Sequence, residues 1–230
     1  MTFQKFAGVT LTAAFMAFGA ANPATAATWE YDFGTLVVGK NAPSIADTVT
    51  FANLSVSTTD YKDFIYTLTV RDLTSVFGSK DAYVNSLSVD TFTKVDPKQV
   101  SNVIGDVSKV ALSTDNQKIG AVRYDFTNTI GTSHNELTSK EQVTWTTTYK
   151  NALSPNNIFG SSPFVLGVNG IAYETIKKDD GHYETITRTN GSGEYLGRIV
   201  SSVPEPESYA MLISGLALLG FIARRRQRSN

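Results

Sequence analysis

The chain of 230 residues contains no cysteine. That absence excludes disulfide staples, thiolate zinc clusters, cysteine nucleophiles and haem attachment through cysteine, so the fold must be held by burial alone. Histidine is nearly absent too, with only His134 and His182. A Ser-His-Asp hydrolase needs nucleophile, base and orienting acid brought together, and no serine here stands in a Gly-x-Ser-x-Gly elbow. Both histidines therefore read as loop residues. No glycine-rich phosphate loop of the P-loop or dinucleotide pattern occurs. Charge is sparse, at 18% of residues with a formal net charge of -1.

The two ends have the composition of targeting segments and are set aside before the fold is read. At residues 1–26, Lys5 supplies positive charge and Ala7 to Ala21 is uncharged and largely apolar. Pro23 then breaks the run ahead of Ala24-Thr25-Ala26. Small residues at Ala24 and Ala26 suit signal peptidase, with the cut placed after Ala26. What remains up to Val203 carries 15 basic and 19 acidic residues, a mildly acidic body with no basic stripe for a nucleic-acid backbone. Nucleic acid is not an expected partner. A body of this size buries about 70% of the surface its unfolded chain would expose, enough to stand without cross-links.

That body, residues 27–202, reads as all-β. Trp29, Tyr31 and Phe33 alternate with acids. The same period of two recurs in Val49 and Phe51, in Phe64, Tyr66, Leu68 and Val70, in Val122, Tyr124 and Phe126, and in Val143, Trp145, Thr147 and Tyr149. Later stretches at 164–173, 183–187 and 195–200 repeat it. Such alternation puts one face in a core and the other in water. Turn-forming clusters punctuate the runs at 39–43, 128–133, 154–157, 179–181 and 190–193. Ser and Thr make up 42 of the 177 residues from Ala27 to Val203, which suits strand surfaces. Between Asp96 and Val110 the spacing of Val100, Val103, Ile104 and Val107 is helical, so a short helix is expected there. The expected fold is a single antiparallel β-sandwich, jelly-roll-like.

After the body, residues 203–228 form a distinct tail. Pro204-Glu205-Pro206 holds the chain extended and open to a processing enzyme. The uncharged run 209–223 is short of the ~20 residues of a comfortable span, yet its flanks can carry it across as a transient one. Arg224, Arg225 and Arg226, with Arg228, would stay cytoplasmic by the positive-inside bias, leaving Pro204-Glu205-Pro206 on the outer side of the inner membrane. In this order, at the C-terminus, these pieces resemble the PEP-CTERM sorting signal. The resemblance implies recognition by an exosortase in the inner membrane, release or transfer to the cell surface, and a Gram-negative setting of exopolysaccharide and biofilm. A second resemblance lies inside the body. Phe33-Gly34-Thr35-Leu36 with Ile45 to Phe51, and Gly193 to Ile199, are similar to the first and last strands of a recurrent group of PEP-CTERM β-proteins. That group brings a fold and no assigned activity.

Chemistry is thin in the body. Glycoside cleavage needs two facing acids, and the available pairs are Asp60 with Asp63, Asp179 with Asp180, and Glu174 with Glu184. Acids in loops usually form turns by bonding their own backbone. Asp179-Asp180-Gly181 with Glu184 offers oxygen ligands for calcium, but the spacing is not that of a calcium loop, and a hairpin turn is the reading. Trp29, Trp145, Tyr149, Tyr173, Tyr183 and Tyr195 are the aromatics that could cover a sugar face, most of them destined for the core. No cofactor or metal is expected. The sequence points to a non-enzymatic surface or matrix protein associating with exopolysaccharide or with itself; a secreted carbohydrate-active lyase or hydrolase is the alternative.

Overall fold

The computed structural model describes residues 27–202, apart from 47, 92–94, 133–134, 155–157 and 180–181. Its elements are β1 (Ala27–Lys40), β2 (Ala52–Thr58), β3 (Asp63–Val70), α1 (Leu73–Phe77), β4 (Tyr83–Thr91), β5 (Pro97–Gly105), β6 (Val110–Ser113), β7 (Gln117–Ile119), β8 (Val122–Tyr124), β9 (Phe126–Ile130), β10 (Gln142–Tyr149), β11 (Phe159–Asp179) and β12 (His182–Ser202). The alternation seen in the sequence governs the burial. In β3 Phe64, Tyr66, Leu68 and Val70 are buried, and in β10 Val143, Trp145, Thr147 and Tyr149. β2 buries every second residue from Ala52 to Thr58.

Ten strands form one antiparallel sheet in the order β5-β10-β3-β2-β1-β12-β11-β4-β9-β6. The all-β expectation holds, and the two faces of the expected sandwich are one continuous sheet curled on itself, nearly closed into a barrel. Aromatic contacts show the curl. Tyr66 on β3 meets Phe164 on β11 at 6.3 Å between ring centroids, and Tyr149 on β10 meets Phe126 on β9 at 5.9 Å. These strands are far apart in the hydrogen-bonded order, so their rings can meet only across an enclosed core. Closing a sheet this way removes most of its exposed edge. The small hairpin β7–β8 lies outside, where Ile119 and Tyr124 pack on Val165 and Leu196 of the sheet's outer face.

Three local expectations are corrected, the simplest being the turn cluster at 128–133, whose residues 128–130 lie in the strand β9. Residues 97–105 form the strand β5, not a helix. Ser101 is paired with Thr146 and Ile104 with Thr144, so β5 carries one more residue than β10 over this stretch. Asn102, at φ 52°, takes up the extra residue. Such a bulge puts Val100 and Val103, three apart, on the same core-facing side, which imitates a helical period. The third correction concerns Asn190 to Gly193, which reads as a turn but runs inside β12. A Cβ on Gly191 would lie 2.9 Å from the carbonyl oxygens of Asn41 and Ile171, so the glycine is required by close backbone approach. The helix α1 was not anticipated. It spans little more than a turn, with the Asp72 carboxylate accepting from Ser75 N–H at 3.1 Å and Gly78 closing it at φ 65°.

One core position is out of keeping with its surroundings. Asn128 on β9 is fully buried between its cross-strand partners Leu87 and Leu112, and among the described residues neither Oδ1 nor Nδ2 of its side chain has a hydrogen-bond partner. An unpaired buried amide costs about 1–3 kcal/mol. Asn128→Leu is therefore expected to stabilise the protein by that amount, raising Tm by roughly 2–4 °C per kcal/mol. A fall in Tm in a thermal melt would show that the amide has a partner or role the packing does not reveal.

Candidate functional site

β12 ends beside the start of the body, with Trp29 paired to Ser202 and Glu30 to Ser201. The chain thus enters and leaves the sheet on adjacent strands at one end. Ala24 and Ala26 before it, and Pro204, Glu205, Pro206, Arg224, Arg225 and Arg226 after it, lie outside the described residues, as does the apolar run 209–223. Among the described residues no helix is long and apolar enough to cross a membrane.

The structure sorts the aromatic candidates. Trp145, Tyr149 and Tyr195 are fully buried, and burial pushes the Tyr195 phenol far above its usual range. Trp29 is half-buried, edge-on to Phe159 at 5.4 Å. Tyr173 is half-buried and donates its hydroxyl to Asn190 Oδ1 at 2.7 Å. Tyr183 alone of the six is largely exposed, at 72%.

The acid pairs within the described residues, Asp60 with Asp63 and Glu174 with Glu184, do not face each other across a cleft. Asp60 Oδ1 accepts from the backbone N–H of Lys62 and of Asp63 at 2.9 and 2.8 Å, and the Asp63 bond leads in holding its carboxyl below the usual range. It is a turn former. Glu174 is paired with Thr187 and Glu184 with Lys177, which places the two glutamates on opposite faces of the β11–β12 ribbon. His182 and Glu184 are exposed; Asp180, Gly181 and His134 lie outside the described residues. No group of three or more acids or histidines able to hold a metal occurs among the described residues.

A groove that sequence reasoning missed opens where β3, β10 and β5 run side by side. Lys62 precedes β3, Asp96, Pro97 and Lys98 open β5, and Thr148, Tyr149 and Lys150 close β10; together they line a cavity of about 460 Å³. Two backbone bonds fix it: Tyr149 N–H donates to Lys62 O at 2.9 Å, and Lys150 N–H to Asp96 O at 3.1 Å. The Tyr149 side chain itself is buried in the core, edge-on to Phe64 and Phe126, with its hydroxyl bonded to Tyr66 Oη at 3.0 Å. Burial, then the neighbouring Tyr66, pushes that phenol well above its normal range, so it stays neutral. The three lysines and Asp96 are all exposed. Three lysines against one carboxylate suit an anionic group. The lysines sit on three separate segments, so no spacing in the sequence could have gathered them.

Comparison with known proteins adds one strong match. Residues 202–227 match the PEP-CTERM protein-sorting motif. The motif implies processing by an exosortase and indicates export with sorting to the cell envelope or surface. No curated protein matches the chain. A solved structure described as "pH-induced modulation of Streptococcus parasanguinis adhesion by Fap1 fimbriae" is similar at 13% identity and a TM-score of 0.41, over 78% of this chain and 99% of that one. A likeness that low carries no argument.

Proposed function

We propose that this chain is a non-enzymatic surface or matrix protein whose lysine-rimmed groove holds acidic extracellular polysaccharide. Signal peptidase removes residues 1–26, the run 209–223 inserts transiently in the inner membrane, and an exosortase cuts near Pro204-Glu205-Pro206 to free the β body. The observation that carries the glycan reading is the groove: Lys62, Lys98 and Lys150 line it together in a body that is otherwise mildly acidic. Among the described residues only one carboxylate, Asp96, lines it, whereas acid–base cleavage of a glycosidic bond uses two. That favours binding over turnover.

The exported chain is expected to be retained by native exopolysaccharide bearing uronate or other anionic groups, and not by a neutral glucan. Exposed charge contacts contribute roughly 0.5–1 kcal/mol each, so replacing Lys62, Lys98 and Lys150 with alanine should weaken retention about 10- to 100-fold. Retention should also fall as salt rises. Equal retention of the wild type and the triple variant would remove the groove from the account. Release of shortened oligosaccharides from the same polymer would instead make the protein a carbohydrate-active enzyme.

A further inference from the structure

The hairpin of β11 and β12 outruns the sheet that carries it. β4 accompanies β11 only as far as Asn169, and β1 accompanies β12 only as far back as Ser192. From Ile171 to Gly191 the two strands pair with each other alone among the described residues. The residues of β11 beyond Ile171, at about 3.3 Å each, carry this arm some 26 Å from the body. Water reaches both faces, and two large side chains stand in it, Ile176 at 74% exposed and Tyr183 at 72%. A two-stranded ribbon is marginal in water by itself, and each outer edge is a row of backbone groups able to pair with another strand.

The charges along β11 indicate which strand would fit. Glu174, Ile176 and Lys178 share one face, opposite Thr187, Thr185 and Tyr183 of β12. Glu174 thus faces a threonine across the ribbon, and Lys178 holds its ammonium 5.8 Å from the centre of the Tyr183 ring. Neither faces an opposite charge there. Lys177, on the other face, stands opposite Glu184. Glu174 and Lys178 are four residues apart on an extended strand, about 13 Å, too far to meet each other. Taken outward from Ile176, the segment has an acid two residues before and a base two residues after.

We propose that the outer edge of β11 pairs antiparallel with the same edge of a second copy of this chain, about a two-fold axis at Ile176. In that register Ile176 meets Ile176 of the second copy. Glu174 of each copy meets Lys178 of the other, and Thr175 of each meets Lys177 of the other. Directly opposed charges and apolar side chains stabilise an antiparallel pair, and like charges disfavour it. A slip of one residue would leave Ile176 facing Thr175 or Lys177. The two ribbons become one four-stranded sheet, above the size at which a sheet stands alone, and the interface is isologous and closed. This pairing does not depend on glycan binding in the groove, which sits on other strands.

The absence of cysteine makes the test clean. The full chain carrying Ile176→Cys is exported in a Gram-negative host, and intact cells are treated with a mild oxidant or a short bis-maleimide. Opposed residues bring their Cβ atoms to about 4.5–5.5 Å, so a cross-linked dimer is expected on a non-reducing gel. Ile104→Cys, at a site 69% exposed on β5, should give none. Adding Glu174→Lys or Lys178→Glu to Ile176→Cys should lower the dimer yield at least ~10-fold by opposing like charges twice over. Combining both reversals should restore it. Equal cross-linking at 176 and 104, no dimer at 176, or a yield indifferent to the single reversals would each overturn the proposal. So would wild-type full chain that sediments only as monomer in detergent.

Discussion

Trp145→Ala is expected to remove about 3–5 kcal/mol of folding stability, a large share of the roughly 5–15 kcal/mol a domain possesses. Trp145 is the largest fully buried side chain of the body. Its indole stacks on Tyr66, directly opposite it on β3, with ring centroids 5.3 Å apart and planes 8° from parallel. Tyr66 in turn bonds Tyr149 and meets Phe164, so this stack joins β3 and β10 to the far side of the curled sheet. Truncation leaves a cavity that neighbours on several strands border, and a nearly closed sheet has little freedom to collapse into it. Urea unfolding followed by far-UV circular dichroism should show the midpoint lowered by about 1–3 M. Trp145→Phe should cost much less than its lost volume implies, because among the described residues the indole N–H it removes has no hydrogen-bond partner. A loss under about 1 kcal/mol for the alanine variant would mean the interior is not close-packed.

The second large effect is a pH dependence of unusual sign. Glu194 on β12 lies on the outer face of the sheet, between its cross-strand partners Val38 and Gly167. Among the described residues its Oε2 is buried without a partner, as is Oδ1 of Asn85, which approaches Gly167 from the β4 side. Burial raises the Glu194 carboxyl to about 7 from an ordinary 4.5. Between those two values the folded chain holds a proton that the unfolded chain has released. Stability from this group is therefore full below about pH 4.5 and falls as pH rises to about 7, by up to roughly 3 kcal/mol. Partial exposure makes that an upper figure. A carboxylate paired in the fold would give the opposite slope. Glu194→Gln should flatten the slope of ΔG against pH between 5 and 7 and stabilise the protein at pH 8 by about 2 kcal/mol. Asp90, raised by burial and then by its neighbour Asp125, leaves a smaller residual of the same sign. A Glu194→Gln variant with the wild-type slope would place the titrating group elsewhere.

The legible parts of the fold were those set by local alternation. Phe64 to Val70 and Val143 to Tyr149 carry their large side chains at every second position, and a half-buried strand requires nothing else. The errors fell where a bulge or a close crossing altered the period. Val100 and Val103 face the core together because of the bulge in β5, and position 191 is a glycine inside a strand because the carbonyls of Asn41 and Ile171 leave no room for a Cβ. Neither cause is visible in the segment itself. The fate of the aromatics was equally closed to local reasoning, since Trp145 and Tyr183 both occur in alternating strands, while the stretch of β12 that carries Tyr183 pairs with β11 alone among the described residues.

By itself the sequence determined the route and the fold class. A Pro-Glu-Pro tail with its apolar run and arginines is a linear signal that matches a protein-sorting motif, so nothing beyond chain order is needed to recognise it. Only the tertiary structure decided that the strands form one curled sheet. It also decided that three lysines from separate segments share a groove, and that β11 and β12 run on past their neighbours as an arm. The physical reason is that these features depend on which strands lie side by side. That order is set by contacts between residues far apart in the chain, where local periodicity carries no information.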